Sequence, residues 1–342
     1  MHQDVIVVTS ADDNFAVGLA GTFPSALHHL GSGRRLRLFV LDGGIRNENK
    51  AALQRHWGTD RMQVEWVQVD RRLVREFVVS EHISEATYYR LLSPAVLPAN
   101  IERFIYHDAD MLVRRDLGEF WDLPAAGQPS IAVQDPAAPY LDCAVALQDR
   151  KAVLGHLAST CPIRNYRELG LDPRAPYFNG GLMMIDLVAW RREKLAEQML
   201  RVLTQHREHV LWWDQYALNV VLSGRWQPAD ARWNQNSFIL RQQSAAETIF
   251  SPREFQQYVT DPWIVHFNGV KPWQPDCTHP RAAEFLQFLR GSPWEREFRP
   301  AALPATISPP QRSRYRVARD FVKTRLRRAR HAVRSLFGRR AA

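Results

Sequence analysis

Arg103-Phe104-Ile105-Tyr106-His107-Asp108-Ala109-Asp110-Met111 is the stretch on which the reading of this chain turns. Its first five residues, with Phe, Ile and Tyr at the centre, predict a strand over residues 103–107. The strand stops on two aspartates spaced i, i+2. Residues two apart on an extended chain point to one face. Two carboxylates so placed repel unless a cation lies between them. Hard oxygen ligands at a strand end suit Mg²⁺ or Mn²⁺. A lone D-x-D arises readily by chance, so its weight depends on its surroundings.

Toward the N-terminus those surroundings are regular. Val5-Ile6-Val7-Val8 is a continuous β-branched run, suited to a strand covered on both faces. The polar cluster Ser10-Ala11-Asp12-Asp13-Asn14 follows it. Helix periodicity then predicts a helix over residues 15–30, a strand over 36–41, a helix over 47–57, a strand over 64–69 and a helical stretch over 88–92. Strands alternating with helices indicate βαβ units and an open α/β sheet. Ligands of such sheets bind beyond the carboxyl ends of the strands, where Asp12 and Asp108 sit. No G-x-G-x-x-G run follows the first strand, which argues against a dinucleotide fold. Asp12 has two open readings, a helix N-cap or recognition of a nucleoside.

Toward the C-terminus the rhythm loosens. A strand is predicted over residues 131–134, helix-like stretches within 141–169 and a short strand over 182–185. One long helix is predicted over 187–206, a shorter one over 214–222 and a last strand over 263–267. Tyr177-Phe178-Asn179-Gly180-Gly181 reads either as a tight turn or as backbone that a ligand approaches closely. Trp212-Trp213-Asp214-Gln215-Tyr216 opens a helix; Asp214 either caps it or, with Gln215, holds sugar hydroxyls. In His266-Phe267-Asn268-Gly269-Val270-Lys271-Pro272-Trp273, a histidine at a strand end is followed by a lysine, a point charge suited to phosphate. A ligand His and a Lys in one loop would serve a metal–diphosphate complex.

Composition sets the outer limits. Of 342 residues, 45% are hydrophobic and 24% charged, which excludes a disordered chain, a collagen or a coiled coil. No apolar run approaches the ~20 residues of a membrane span. The acidic start reads as a strand, not a signal peptide. Three distant cysteines, Cys143, Cys161 and Cys277, make no disulfide framework or CxxC pattern, and a reducing cytoplasm is expected. The net charge of +9 is unevenly placed: eleven Arg, one Lys and one Asp between residues 312 and 340 carry +11, leaving the remainder at −2. Residues 300–311 are a Pro-rich linker by composition. Beyond it, Tyr315, Ala318, Val322, Leu326, Ala329, Val333 and Leu336 recur at steps of three and four. A basic amphipathic helix of this kind is expected to lie on an anionic membrane surface, with a solvated or nucleic-acid-binding helix as the alternative.

Taken in order, Ala11-Asp12-Asp13-Asn14, Tyr89-Arg90, Tyr106 through Asp110, Phe178 through Gly181, Trp213-Asp214-Gln215 and His266 through Trp273 carry a resemblance. From about residue 5 to 290 the chain resembles the family 8 retaining glycosyltransferases, in particular the bacterial lipopolysaccharide α-galactosyltransferase and α-glucosyltransferase branch. The resemblance implies a GT-A-type α/β fold, an open mixed sheet flanked by helices, over residues 1–299, with the linker and a membrane-associating tail at 312–342 as separate segments. It implies Mn²⁺, with Mg²⁺ as the alternative, on Asp108, Asp110 and His266. The donor would be a UDP-hexose, glucose or galactose. Its uridine would meet Ser10, Ala11, Asp12 and Asn14, its diphosphate Gly269 and Lys271, and the rest of it Arg90, Asp108, Ala109, Asn179 and Gly180. Asp214 and Gln215 would lie beside the transferred sugar, with Asp135 near it. The acceptor would be a glycan hydroxyl, lipid-linked as in a lipopolysaccharide core, reached from the cytoplasmic face of the membrane.

Two departures stand out. Lys271 lies five residues after His266 where the family has six, and His107 takes the place of an apolar residue. His107 is expected to face solvent, with support of the metal residues or an extra ligand as the alternatives. Two other classes compete. A metal-dependent nucleotidyltransferase also pairs carboxylates, but does not call for the His266–Lys271 loop. A nucleic-acid-binding protein acting through its tail would be helped by a basic body, which this chain lacks; no nucleic-acid partner is expected.

Overall fold

The β-branched run near the N-terminus lies inside a seven-stranded mixed sheet. The computed structural model describes residues 3–77, 79, 84–150 and 155–298. Its strands are β1 (Gln3–Ala11), β2 (Arg34–Asp42), β3 (Met62–Gln68), β4 (Arg103–His107), β5 (Met111–Val113), β6 (Ser130–Gln134), β7 (Phe178–Asp186), β8 (Gln227–Pro228), β9 (Gln235–Asn236) and β10 (Ile264–His266). The large sheet runs β3-β2-β1-β4-β7-β6-β8, and β5-β10-β9 form a small second sheet. The first four members of the large sheet are parallel, and β7 inserts antiparallel between β4 and β6. The tail and linker lie outside the described residues.

Both faces of the sheet are covered, which is why its central strands read as unbroken apolar runs. Val5 and Val7 point into one core, with helix Ala16–His29. Val8 points into a second, with Tyr88, Tyr106 and Trp190. Helix Ala16–His29 also carries polar groups on its buried side. Thr22 Oγ1 donates to Ala109 O at 2.9 Å and accepts from Met111 N at 3.3 Å, and Ser25 Oγ accepts from Val113 N at 3.0 Å. The helix thereby holds the segment after β4 at both ends of its turn.

Several sequence expectations are corrected. Residues 177–181 are not a turn: β7 begins at Phe178, and Asn179, Gly180 and Gly181 are buried strand residues. The glycine pair punctuates nothing here; it gives room to neighbours. The helix expected over 187–206 is two, Leu187–Arg192 and Leu195–Gln205, separated at Lys194 with φ +53°. Gln198 Nε2 takes up the Glu193 carbonyl at 2.8 Å beside the break. The stretch around residues 88–92 is a 3-10 helix, Glu85–Leu92, and among the described residues of 141–169 the helix-like stretches are short, the α-helix Cys143–Ala146 and the 3-10 helix His156–Ser159. Strands β5, β8 and β9, of two or three residues each, were too short to show periodicity.

Candidate active site

The carboxyl ends of β1, β4 and β6 and the amino end of the antiparallel β7 meet at one edge of the large sheet. Asp108 N bonds Gly181 O at 2.8 Å and Asp135 N bonds Tyr177 O at 2.9 Å, so the aspartates after β4 and β6 flank the start of β7. The small sheet then brings in the last element. Residue His266 of β10 pairs with Met111 of β5, and Phe267 N bonds Asp110 O at 3.0 Å.

Asp108, Asp110 and His266 thus converge, each offering one ligand atom within 4.8 Å of the others. His266 Nε2 lies 3.6 Å from Asp108 Oδ2 and 3.3 Å from Asp110 Oδ1. Its Nδ1 lies 3.0 Å from both Asn234 Oδ1 and Asn268 Nδ2, so two amides orient the ring with Nε2 toward the aspartates. Two carboxylate oxygens and one imidazole nitrogen form a donor set of the kind that holds a hard divalent cation. Gly181 makes the convergence sterically feasible: a Cβ there would stand 2.4 Å from His266 Cε1 and 2.8 Å from Asp108 Oδ2.

Two cations brace the carboxylates. Lys271 Nζ bonds Asp110 and donates to Phe267 O at 2.8 Å, so the shortened loop still carries the lysine to the cluster. Burial alone would raise the Asp110 carboxyl, but Lys271 and His266 outweigh it and hold it below the ordinary carboxylate value. Arg90, only 5% exposed, bonds Asp108 Oδ1 at 2.9 Å, pairs with Asp214 Oδ2 at 2.8 Å and donates to Gly180 O. Its guanidinium lies 4.0 Å from the Tyr106 ring centroid. Burial opposes its charge, yet Asp108 and Asp214 raise its pKa above the usual arginine value. Asp214 does not cap its helix; it receives Arg90 and, at 2.9 Å, the Thr87 hydroxyl, while burial raises its carboxyl. His107 does not face solvent. It is fully buried, 5.9 Å from the Phe23 ring, with its pKa pushed down to about 4 by burial.

A cavity of about 540 Å³ opens beside the cluster. Asp135 stands in its wall, 4% exposed, and is held by amides instead of cations. It accepts from Asn179 Nδ2 at 3.1 Å, Gln215 Nε2 at 3.3 Å, Asn236 Nδ2 at 3.2 Å and Ala137 N at 2.9 Å. Gln215 is fixed at its other end, Oε1 accepting from Gly180 N at 3.1 Å. Gly269 lines the same cavity. A second, smaller cavity of about 100 Å³ is lined by Ser10, Ala11, Asp12, Phe15 and Ala109 and shares Thr87, Arg90, Asp108, Asp110 and Lys271 with the first. Asp12 caps the turn at Asn14 N, 3.0 Å away, as the first of its two readings had it, and it also lines this cavity. The structure brings together most of the residues singled out from sequence, but Asn14 and Gly180 line neither cavity; Asn14 is exposed and Gly180 is bonded inward. Sequence reasoning missed Thr87, Asn234 and Asn236. The run Asn234-Gln235-Asn236, polar amid aromatics yet buried, was the signal for two of them.

The family model Glycosyl transferase family 8 matches residues 6–277. General stress protein A of Bacillus subtilis is 30% identical over 307 residues, covering 88% of this chain and 99% of that protein. Lipopolysaccharide 1,2-glucosyltransferase of Escherichia coli K12 is 25% identical over 220 residues, covering 62% of this chain but 56% of its own length, so the match spans about half of that relative. Among solved structures, the galactosyltransferase LgtC in complex with donor and acceptor sugar analogs aligns with a TM-score of 0.70 at 24% identity, covering 86% of this chain and all of that one. That likeness shows the open mixed GT-A sheet.

Proposed function

The chain belongs to glycosyl transferase family 8, and from that premise we propose that it moves a hexose, glucose or galactose, from a UDP-sugar to a glycan hydroxyl with retention of anomeric configuration. The observation that carries the reading is the Asp108–Asp110–His266 cluster at the junction of two cavities that share its aspartates. The smaller cavity, at the end of β1, takes the nucleoside against Ser10, Ala11 and Asp12. The larger takes the hexose beside Asp135, Asn179, Asp214 and Gln215.

Asp108, Asp110 and His266 would hold Mn²⁺, or Mg²⁺ in its place. Such a cation screens the diphosphate and stabilises charge on the departing UDP. The protein adds charge of its own through Lys271 and Arg90, both anchored to the same aspartates. Gln215 cannot rotate freely, because its amide is tied to Gly180 N and to Asp135. An amide is a poor nucleophile, so its part is to present a fixed dipole to an oxocarbenium-like transition state. Attack by the acceptor on the face that UDP leaves, with a phosphate oxygen taking the acceptor proton, fits a site without a free carboxylate nucleophile. We place the enzyme at the inner face of the cytoplasmic membrane, its basic tail on anionic lipid and its acceptor a lipid-linked glycan such as a lipopolysaccharide core. Among the described residues no helix is long and apolar enough to cross a membrane.

The test is incubation with UDP-glucose and UDP-galactose, with Mn²⁺ and with EDTA, reading UDP release and the anomeric configuration of the product. Release that needs the cation and disappears in Asp110→Ala, with circular dichroism unchanged, supports the reading. Turnover indifferent to EDTA, or an inverted product, overturns it.

A further inference from the structure

Four aspartates line the large cavity, and each is already satisfied. Asp108 and Asp214 hold Arg90, Asp110 holds Lys271, and Asp135 is surrounded by amide donors. Arg241 lines the same cavity and is exposed; among the described residues no carboxylate lies within ion-pair distance of it. Of the three Arg and Lys side chains in this wall, Arg241 is therefore the one that no aspartate of the wall engages. That cation sits at the end of the 3-10 helix Ser237–Arg241, whose Phe238 also lines the cavity.

The position of this end can be read from the shared walls. The nucleoside cavity meets the large one at Thr87, Arg90, Asp108, Asp110 and Lys271. Neither Arg241 nor Phe238, Trp212 or Trp213 belongs to that shared wall; they line the large cavity alone. A donor seated across the metal cluster leaves that part of the cavity for the second substrate. Trp212 and Trp213 supply flat apolar surface for a sugar ring. Trp213 is held there at φ +44°, a backbone conformation that non-glycine residues keep only where the surroundings impose it.

We propose that this end of the cavity is an acceptor subsite for an anionic glycan, with Arg241 pairing to a carboxylate or phosphate borne near the hydroxyl that receives the hexose. The guanidinium fork offers parallel donors to either group, and neutral sugars offer it nothing equivalent. The assignment rests on the hexosyl-transfer reading above and narrows it to a class of acceptor.

The experiment compares one acceptor disaccharide in three forms: neutral, with a uronate carboxylate, and with a phosphate ester on the same ring. UDP release gives kcat/KM for each, and calorimetry gives acceptor binding without any donor. Wild type is expected to favour an anionic form over the neutral one by about tenfold, mostly through KM and less so at high salt. Arg241→Gln should bring that ratio to about one, whereas Arg241→Lys should keep part of it for the phosphate. Which anionic arm is preferred tells carboxylate from phosphate. Equal use of neutral and anionic acceptors by wild type, or a preference that survives Arg241→Gln, overturns the proposal. Loss of UDP release with every nucleotide sugar would instead strike the transfer reading, and the binding comparison would still decide the role of Arg241.

Discussion

Gly181→Ala tests the cluster without touching a ligand. The added Cβ would lie 2.4 Å from His266 Cε1 and 2.8 Å from both His266 Nδ1 and Asp108 Oδ2. Carbon atoms rest at about 3.5 Å, so something must yield by about 1 Å. At this point β7 is held by β4, through Asp108 N to Gly181 O and the Leu182–His107 pair, while the β6 ladder skips residues 180–182. The imidazole and the Asp108 carboxylate stand in the way of the new carbon, and their displacement breaks the Nδ1 contact with Asn234 and opens the ligand triangle. A misplacement of about 1 Å in a catalytic constellation costs on the order of 10²-fold in rate. Overpacking should cost about 1–3 kcal/mol in stability. Mn²⁺ affinity by calorimetry, UDP release and urea unfolding read the three effects separately. Gly33→Ala is the control, since nothing lies within 4 Å of its added carbon. If Gly181→Ala folds, binds Mn²⁺ and turns over like wild type, the convergence of Asp108 and His266 across Gly181 is not what forms the site.

Other perturbations reach other parts of the molecule. Gln215→Ala should slow transfer by roughly 10²-fold without abolishing it, as loss of a preorganised dipole does; a glycosylated Gln215 found by mass spectrometry would contradict this. Asp135→Asn replaces an acceptor of four hydrogen bonds with a group that donates on one side, and should lower kcat by about tenfold to 10²-fold with little change in metal affinity; unchanged kcat would remove Asp135 from the positioning of Gln215. His279 is buried against Phe267, and burial, with Arg281 adding, pushes its pKa down to about 4. The unfolded chain takes that proton near pH 6.5 and the folded one does not, so stability present above pH 6.5 is lost as pH falls toward 4, by about 3 kcal/mol. His107, likewise pushed down to about 4, contributes over the same range, so His279→Gln should remove about half of the fall in the urea midpoint, and an unaltered pH profile would refute it. Removal of residues 312–342 should abolish co-sedimentation with anionic liposomes while transfer to a soluble acceptor continues; a truncated protein that still sediments would show that the tail is not the anchor.

The parts of the fold legible in the sequence are those with strong periodicity. The runs of β1, β2 and β4 are apolar on both faces because both faces are covered, and their ends placed Asp12 and Asp108 correctly at the sheet edge. The acidic pair and His266 were visible as residue types at strand ends; that they converge was visible only through a family resemblance. What stayed hidden has local causes. The glycine pair of β7 looked like a turn because glycine is weak in strands; its use, to admit His266 and Asp108, depends on segments 73 and 85 residues away in the chain. His107 looked like a surface residue because nothing nearby in sequence reveals Phe23 above it. Lys194 offers no breaker signal, yet the helix parts there. Asn234 and Asn236 act through a two-residue strand, below the length at which pattern reading works.

The pairing of β5 with β10 has a bearing on how the molecule comes into being. About 150 residues separate the partners Val113 and Ile264. Closing so long a loop adds little to its entropic cost, which grows only logarithmically, but such distant contacts form slowly. During synthesis, β1 to β3 emerge first and can zip together from near neighbours, and β4 joins β1 across about 100 residues, leaving Asp108 and Asp110 side by side without His266 or Lys271. Until residues 264–271 leave the ribosome and dock, Arg90 is the one cation of the finished cluster at hand, and it faces Asp108. Competence to hold a cation therefore arrives as a single late event, and a nascent chain halted before residue 264 would own all seven strands of the large sheet and none of the chemistry.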